Sequence, residues 1–285
     1  VNRRQALTLS RRTLADNHID DASLEAEILL RHALEINRVQ LYSDLERDII
    51  PLHEEALKKL LERRIQGEPS AYITGHREFY GLDFRVDRDV LIPRPETEML
   101  VEKAISLTRS HPISSIADIG TGCGAIALSL AVNLPTVTIY ATDVSAAALG
   151  VARANCRKHG VTDRIILLEG DMLEPLPEPV DIIIANLPYV RESDMPPGGR
   201  LRFEPALALN GGENGLDGIM SLCHQAGNKL RGNGFILLEI GQGQAEAVTA
   251  LFQDIFPSSR IEIESDLAGI ERIASLRLTL SRNRC

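Results

Sequence analysis

Apolar positions along the chain recur with two different periods. From residue 1 to about 68 the spacing is helical. Ala26, Leu29, Leu30 and Ala33 fall at i, i+3, i+4 and i+7, and Leu57, Leu60, Leu61 and Ile65 fall at i, i+3, i+4 and i+8. Pro51 suits a first helical turn, and Gly67 with Pro69 ends the last helix of this region. Between Tyr72 and Ile92 the pattern shortens to alternating pieces such as Leu82-Asp83-Phe84-Arg85-Val86 beside Gly81, which predicts a β-hairpin linker over residues 69–95.

Beyond Glu96 strands and helices alternate. The candidate strands are Ser115–Ile119, Val137–Asp143, Ile165–Glu169, Asp181–Ala185, Phe235–Ile240, Ile261–Glu264 and Ile273–Leu280. Several are unbroken apolar runs, the signature of strands covered on both faces. Between them the helical period predicts helices over Glu96–Thr108, Ala125–Asn133, Ala146–His159, Leu216–Leu230 and Gln244–Phe256. Such alternation predicts an α/β doubly wound sheet over residues 96–285, with its ligand site at the carboxyl ends of the strands. One stretch, Arg191 to Gly215, is loop-rich and contains Pro196-Pro197-Gly198-Gly199 and Gly211-Gly212.

Charge narrows the function. The 285 residues carry 31 Lys+Arg against 40 Asp+Glu, a net of −9, which argues against affinity built on broad phosphate contacts. Residues 1–68 hold 11 basic and 13 acidic side chains, so they form no basic arm; a packing appendage and a protein-docking surface fit them equally. The pairs Lys58-Lys59 and Arg63-Arg64 read as a solvated helix face, and His76 as a structural imidazole. No run approaches the ~18 uninterrupted apolar residues of a membrane span. No apolar secretory segment follows the first residues, and Cys123, Cys156, Cys223 and Cys285 lie far apart without metal-ligand spacing. The expected address is the cytoplasm, with no metal.

The chemistry concentrates at three strand ends. The first strand runs into Asp118-Ile119-Gly120-Thr121-Gly122-Cys123-Gly124, a loop whose glycines let backbone approach a ligand at a helix N-terminus. Asp143, about 20 residues on, ends the second strand where a carboxylate can accept from a ribose diol. These features suit a dinucleotide or S-adenosylmethionine alike. Asp171 and Met172 follow the third strand, where a carboxylate can take an adenine amino group and a thioether can pack on its ring; a solvated Asp and a core Met fit as well. Cys123 reads as an inert small residue of the loop. The fourth strand delivers Asn186-Leu187-Pro188-Tyr189 to the same edge. An amide, a stiff turn and an aromatic ring there favour transfer to a planar nitrogen over hydride transfer, which would need an acid/base partner.

The glycine loop and Asn186-Leu187-Pro188-Tyr189 resemble those of class I S-adenosylmethionine-dependent amino-methyltransferases, which carry Asn-Pro-Pro-Tyr. More specifically, Gly75-His76-Arg77-Glu78-Phe79-Tyr80-Gly81 and Ile92-Pro93-Arg94-Pro95-Glu96-Thr97-Glu98 resemble the release-factor glutamine methyltransferase family (HemK/PrmC), as do Phe203–Leu209 and Gly215–Gly218. The resemblance implies a seven-stranded Rossmann-like methyltransferase sheet, a small N-terminal helical bundle that docks substrate, and a β-hairpin linker. It implies S-adenosylmethionine as cofactor, held by Gly120, Thr121, Gly122, Cys123, Gly124, Asp143, Asp171, Met172 and Asn186. It also implies catalysis and substrate binding by Asn186, Leu187, Pro188 and Tyr189. The substrate implied is the glutamine of the Gly-Gly-Gln motif in class 1 peptide chain release factors, with no direct nucleic-acid binding. The likeness brings residues 92–98 to the cofactor cleft, and Arg94 and Glu204 are candidate clamp residues. One departure stands out: Leu187 replaces the first proline of the family turn, keeping the backbone carbonyl that takes the substrate amide; before Pro188 its backbone stays extended. Two rival readings are an amino-methyltransferase acting on exocyclic amines of DNA or RNA, and a cofactor-sensing protein that has lost catalysis through Leu187.

Overall fold

The computed structural model describes residues 1–195 and 203–279, which fall into two compact units: Val1–His76 with Phe203, and residues 77–195 with 204–279. Pro196-Pro197-Gly198-Gly199, Leu280 and Cys285 lie outside the described residues.

The first unit is helical: α1 (Arg3–Asp16), α2 (Ala22–Leu34), α3 (Arg38–Ser43), α4 (Pro51–Ile65) and the short α5 (Ser70–Thr74). Asn2 and Asn37 start α1 and α3 with reciprocal capping boxes to Gln5 and Gln40, which satisfies free backbone donors at each end. Leu14, Leu29, Leu30 and Leu41 fill the core between them. Two expectations change here. Tyr72 is buried in α5 and not in an alternating segment. Arg64 is no solvated charge: it lies seven residues after buried Leu57 and so on the same helix face, is 2% exposed, and pairs with Glu25 at 2.9 Å. Its neighbour Arg63 grips Glu68 through two nitrogens at 2.7 and 2.9 Å.

The second unit begins at Arg77, within β1 (His76–Phe79), which forms a hairpin with β2 (Leu82–Arg85). Tyr80 and Gly81, both at positive φ, make its two-residue turn. The main sheet has seven strands: β3 (Ser115–Ile119), β4 (Thr138–Asp143), β5 (Ile165–Glu169), β6 (Val180–Ala185), β7 (Leu230–Glu239), β8 (Arg260–Ser265) and β9 (Glu271–Arg277). Their order is β5-β4-β3-β6-β7-β9-β8; β9 runs antiparallel to β7 and β8, while β3 to β7 pair in parallel. The chain steps outward from β3 through β4 to β5, then returns to the other side of β3, so the switch point lies between β3 and β6. Helices α6 (Glu98–Ser110), α7 (Ala125–Asn133), α8 (Ala146–Lys158), α9 (Asp217–Ala226) and α10 (Ala245–Ile255) complete the unit. The helix expected to reach Leu230 stops at Ala226, because Leu230 already pairs with Val180 in β7. A register shift, with Asn233 at positive φ, then interrupts the apolar pattern of that strand and hides its first half from the sequence.

The hairpin is fastened to α8 by one side chain. Buried Asn155 accepts from the Arg85 backbone N–H at 2.8 Å and donates to the carbonyls of Arg85 at 3.0 Å and Cys123 at 2.9 Å. It therefore joins the hairpin and the glycine loop to one helix. Asn155→Ala orphans these buried groups and is expected to lower unfolding free energy by about 2–4 kcal/mol in a denaturant titration, the scale of two or three groups losing partners. An unchanged midpoint contradicts this account.

Candidate active site

A cleft of about 290 Å³ opens at the switch point. Its walls come from Gly120 and Gly122 after β3, Asp143 after β4, Asp171 and Met172 after β5, and Asn186, Leu187 and Pro188 after β6. Residues 89–91 and 205–210 close its rim. Those two rim segments are tied by Glu204, whose carboxylate accepts from the Ile92 N–H at 3.1 Å and from Arg94 Nη2 at 2.6 Å. Arg94 and Glu204 thus clamp each other, and neither lines the cleft.

Within the loop, both oxygens of Asp143 are fixed by backbone donors: Gly122 N–H at 2.8 Å and Ser145 N–H at 2.9 Å. Each oxygen retains acceptor capacity for a ligand hydroxyl. Thr121, Cys123 and Gly124 stand behind the cleft wall. The Thr121 hydroxyl donates to Asp118 at 2.6 Å. Cys123 is buried, and burial pushes its thiol up to about 12, in line with an inert residue. Gly124 caps α7 at φ +85°, where a β-carbon would lie 2.5 Å from Leu128. Met172 holds φ at +46°, a conformation costing a non-glycine residue about 1–2 kcal/mol. It is held there because Thr142 donates to its carbonyl at 2.9 Å and Gln225 accepts from the next N–H at 2.9 Å.

The turn after β6 is braced from two sides. The Val190 N–H donates to the Leu209 carbonyl at 3.1 Å and the Val190 carbonyl accepts from the Gly211 N–H at 2.8 Å, while Gln244 donates to the carbonyls of Tyr189 at 3.3 Å and Gly215 at 3.0 Å. Gly211 is required by close approach: a β-carbon there would lie 2.7 Å from the Pro188 carbonyl. Leu187 is 3% exposed, its side chain turned into the core beside Gly120 and Gly218. Asn186 Nδ2 donates to the Thr97 hydroxyl at 3.0 Å, which donates to Glu239 Oε2 at 2.6 Å; the Tyr189 hydroxyl reaches Glu239 Oε1 at 3.4 Å. Glu239 is 3% exposed; burial pushes its carboxyl up while the Thr97 bond pulls it down. Burial, with Glu239 beside it, raises the Tyr189 phenol to about 12. Tyr189 therefore buttresses the turn from outside the cleft wall. Thr97, Glu239, Gln244 and Asn155 went unseen in the sequence because each is an ordinary residue in an ordinary pattern. Of the four, only Thr97 falls within a segment that carries the family resemblance.

Asp89, Asp143 and Asp171 line the cleft, and no Lys or Arg is among its described lining residues.

A family model described as the PrmC N-terminal domain matches residues 5–75, and one described as the methyltransferase small domain matches residues 96–197. Proteins named release factor glutamine methyltransferase from Moorella thermoacetica and Bordetella pertussis are 43% and 41% identical to the chain, each over 94% of it and over 96% and 98% of their own lengths. Among solved structures, a ribosomal protein L11 methylase from Lactobacillus delbrueckii subsp. bulgaricus shares the fold: its TM-score is 0.51 and its identity 19%, covering 68% of this chain and 85% of that one.

Asp118, 1% exposed beneath the loop, accepts from Thr121 and, at 3.1 Å, from the Ala127 N–H, while its Oδ1 is buried with no partner. Burial pushes its carboxyl up to about 7; the two hydrogen bonds oppose this, and nearby Asp143 adds to it. The folded chain then holds this proton more tightly than the unfolded chain, so the group's contribution to stability falls as pH rises from about 4 to about 7 and is level above. Asp118→Asn removes the ionisation. The melting temperature of the variant relative to wild type should climb across that window, then stay constant; parallel curves refute the assignment.

Proposed function

The chain belongs to the release factor glutamine methyltransferase family, and we propose that it transfers the methyl group of S-adenosylmethionine to the side-chain nitrogen of the Gly-Gly-Gln glutamine in class 1 peptide chain release factors. The observation that carries this reading is the turn after β6. There Asn186 spends an amide hydrogen on Thr97, which leaves its oxygen as the acceptor for a substrate N–H.

The proposed cofactor contacts follow the cleft: Asp143 for the ribose hydroxyls, Asp171 and Met172 for the adenine, and backbone of Gly120 and Gly122 for the remainder, with Asn186 at the reacting end. When bound, S-adenosylmethionine supplies an electrophilic methyl carbon. The chain's own task is to present the nitrogen. A carboxamide nitrogen is a weak nucleophile, its lone pair being delocalised into the carbonyl. Asn186 Oδ1 and the Leu187 carbonyl accept its two N–H groups and aim it, so positioning supplies much of the rate. Pro188 shapes the wall, and Tyr189 stiffens the turn through Glu239. An N-methylated, N-protonated amide is a strong acid and releases its proton to water, so no buried base is needed. Residues 1–68 are proposed to dock the release factor, an idea supported by exposed Leu9, Leu24, Val39 and Leu52. The cytoplasmic address is part of the same proposal; Cys123, Cys156 and Cys223 are free and buried.

The test is incubation with labelled S-adenosylmethionine and a purified release factor, followed by mapping of the modified residue, with DNA and RNA as control acceptors. Label on nucleic acid alone, or calorimetry showing NAD binding without affinity for S-adenosylhomocysteine, overturns the reading. Asp143→Ala is expected to weaken S-adenosylhomocysteine binding by about 1.5–3 kcal/mol, the scale of charge-assisted hydrogen bonds. Asn186→Ala should lower kcat by roughly 10²-fold, the loss expected when a reacting atom is misplaced. Wild-type turnover in that variant refutes the clamp.

A further inference from the structure

Thr97 and Glu239 lie far from Asn186 in sequence, on the 3-10 turn ahead of α6 and at the end of β7, yet both are buried directly behind it. The Thr97 hydroxyl is the middle member of the chain and has one proton. It stands 2.6 Å from Glu239 Oε2 and 3.0 Å from Asn186 Nδ2. Both oxygens of Glu239 accept, Oε2 from Thr97 and Oε1 from Tyr189, so the single Thr97 proton is spent on Glu239 and the lone pairs of its hydroxyl face Asn186. Against those lone pairs the asparagine must present its nitrogen; its oxygen would meet another acceptor. The second oxygen of Glu239 faces the Tyr189 hydroxyl at 3.4 Å.

We propose that Thr97 and Glu239 are positioning residues that set the flip of the Asn186 side-chain amide, so that its oxygen and not its nitrogen meets the nitrogen to be methylated. The relay makes the site select an N–H donor. An asparagine free to flip would present its own NH2 to the substrate for part of the time, and donor would then face donor. This inference rests on the reading of Asn186 as the substrate's acceptor.

The experiment compares the full chain with Thr97→Val, which keeps the shape and removes the hydroxyl, and Thr97→Ser, which restores it. Melting curves establish that each variant is folded, and Thr97→Ala replaces valine if valine does not fold. One readout is independent of activity: exchange of the Asn186 side-chain amide hydrogens with solvent, followed by NMR and assigned against Asn186→Asp. The other is methyl transfer to the release factor. In Thr97→Val, exchange should accelerate and kcat should fall by about tenfold or more, with KM for the release factor within about twofold; Thr97→Ser should stay near wild type in both. A folded Thr97→Val enzyme with wild-type kcat overturns the relay whatever its exchange rate. If the wild-type protein does not modify release factors, the functional reading fails by itself. The exchange arm then still decides the relay, and equal protection in the wild type and Thr97→Val overturns it.

Discussion

Parallel pairing of β3 with β6, with Ile119 opposite Ala185, is the constraint on which the site depends. It ends two buried strands at one level, so the glycine loop and the Asn186 turn emerge side by side without any contact of their own having to hold them there. Both strands are almost wholly buried, and a slip of one residue would exchange the side chains packed on their two faces and break the fit to the helices on each. Register here is therefore fixed by the core, and the cleft inherits its precision.

The loops add a second layer of order. Asp143 binds backbone on both sides of itself, Asn155 joins the hairpin to the glycine loop, and Gln244 ties the Tyr189 carbonyl of the turn to that of Gly215. Each is a polar side chain whose partners are backbone groups that would otherwise be orphaned at a strand or helix end. The same bonds that satisfy the fold also orient the cleft, so stability and pre-organisation are one set of contacts here.

Much of this is legible in the sequence where the signal is contiguous. The glycine loop, the carboxylate after β4 and the Asn186-Leu187-Pro188-Tyr189 turn each occupy a single short stretch, and the periodicity change after residue 68 marks the helical region by itself. What escapes is relational. Glu239 reads as the polar end of an apolar strand, and only the packing of β7 and α6 beside β6 shows that it faces Thr97. Arg64 reads as surface charge because helical spacing assigns faces only once the buried face is known, and a paired guanidinium can occupy that face. The first half of β7 escapes because a register shift breaks the alternation that would have announced it.

Leu187 bears on how this turn is held stiff. A proline at that position would restrict its backbone covalently, by a ring that is as stiff in a loosened protein as in a tight one. The leucine side chain is instead seated among Gly120, Gly218 and Met172 in the core that β3 and β6 share with α9. Its carbonyl is as well placed as that core is well packed. Rigidity of this turn is thus borrowed from the folding free energy of the domain, so a cavity opened elsewhere in the shared core loosens the turn as well.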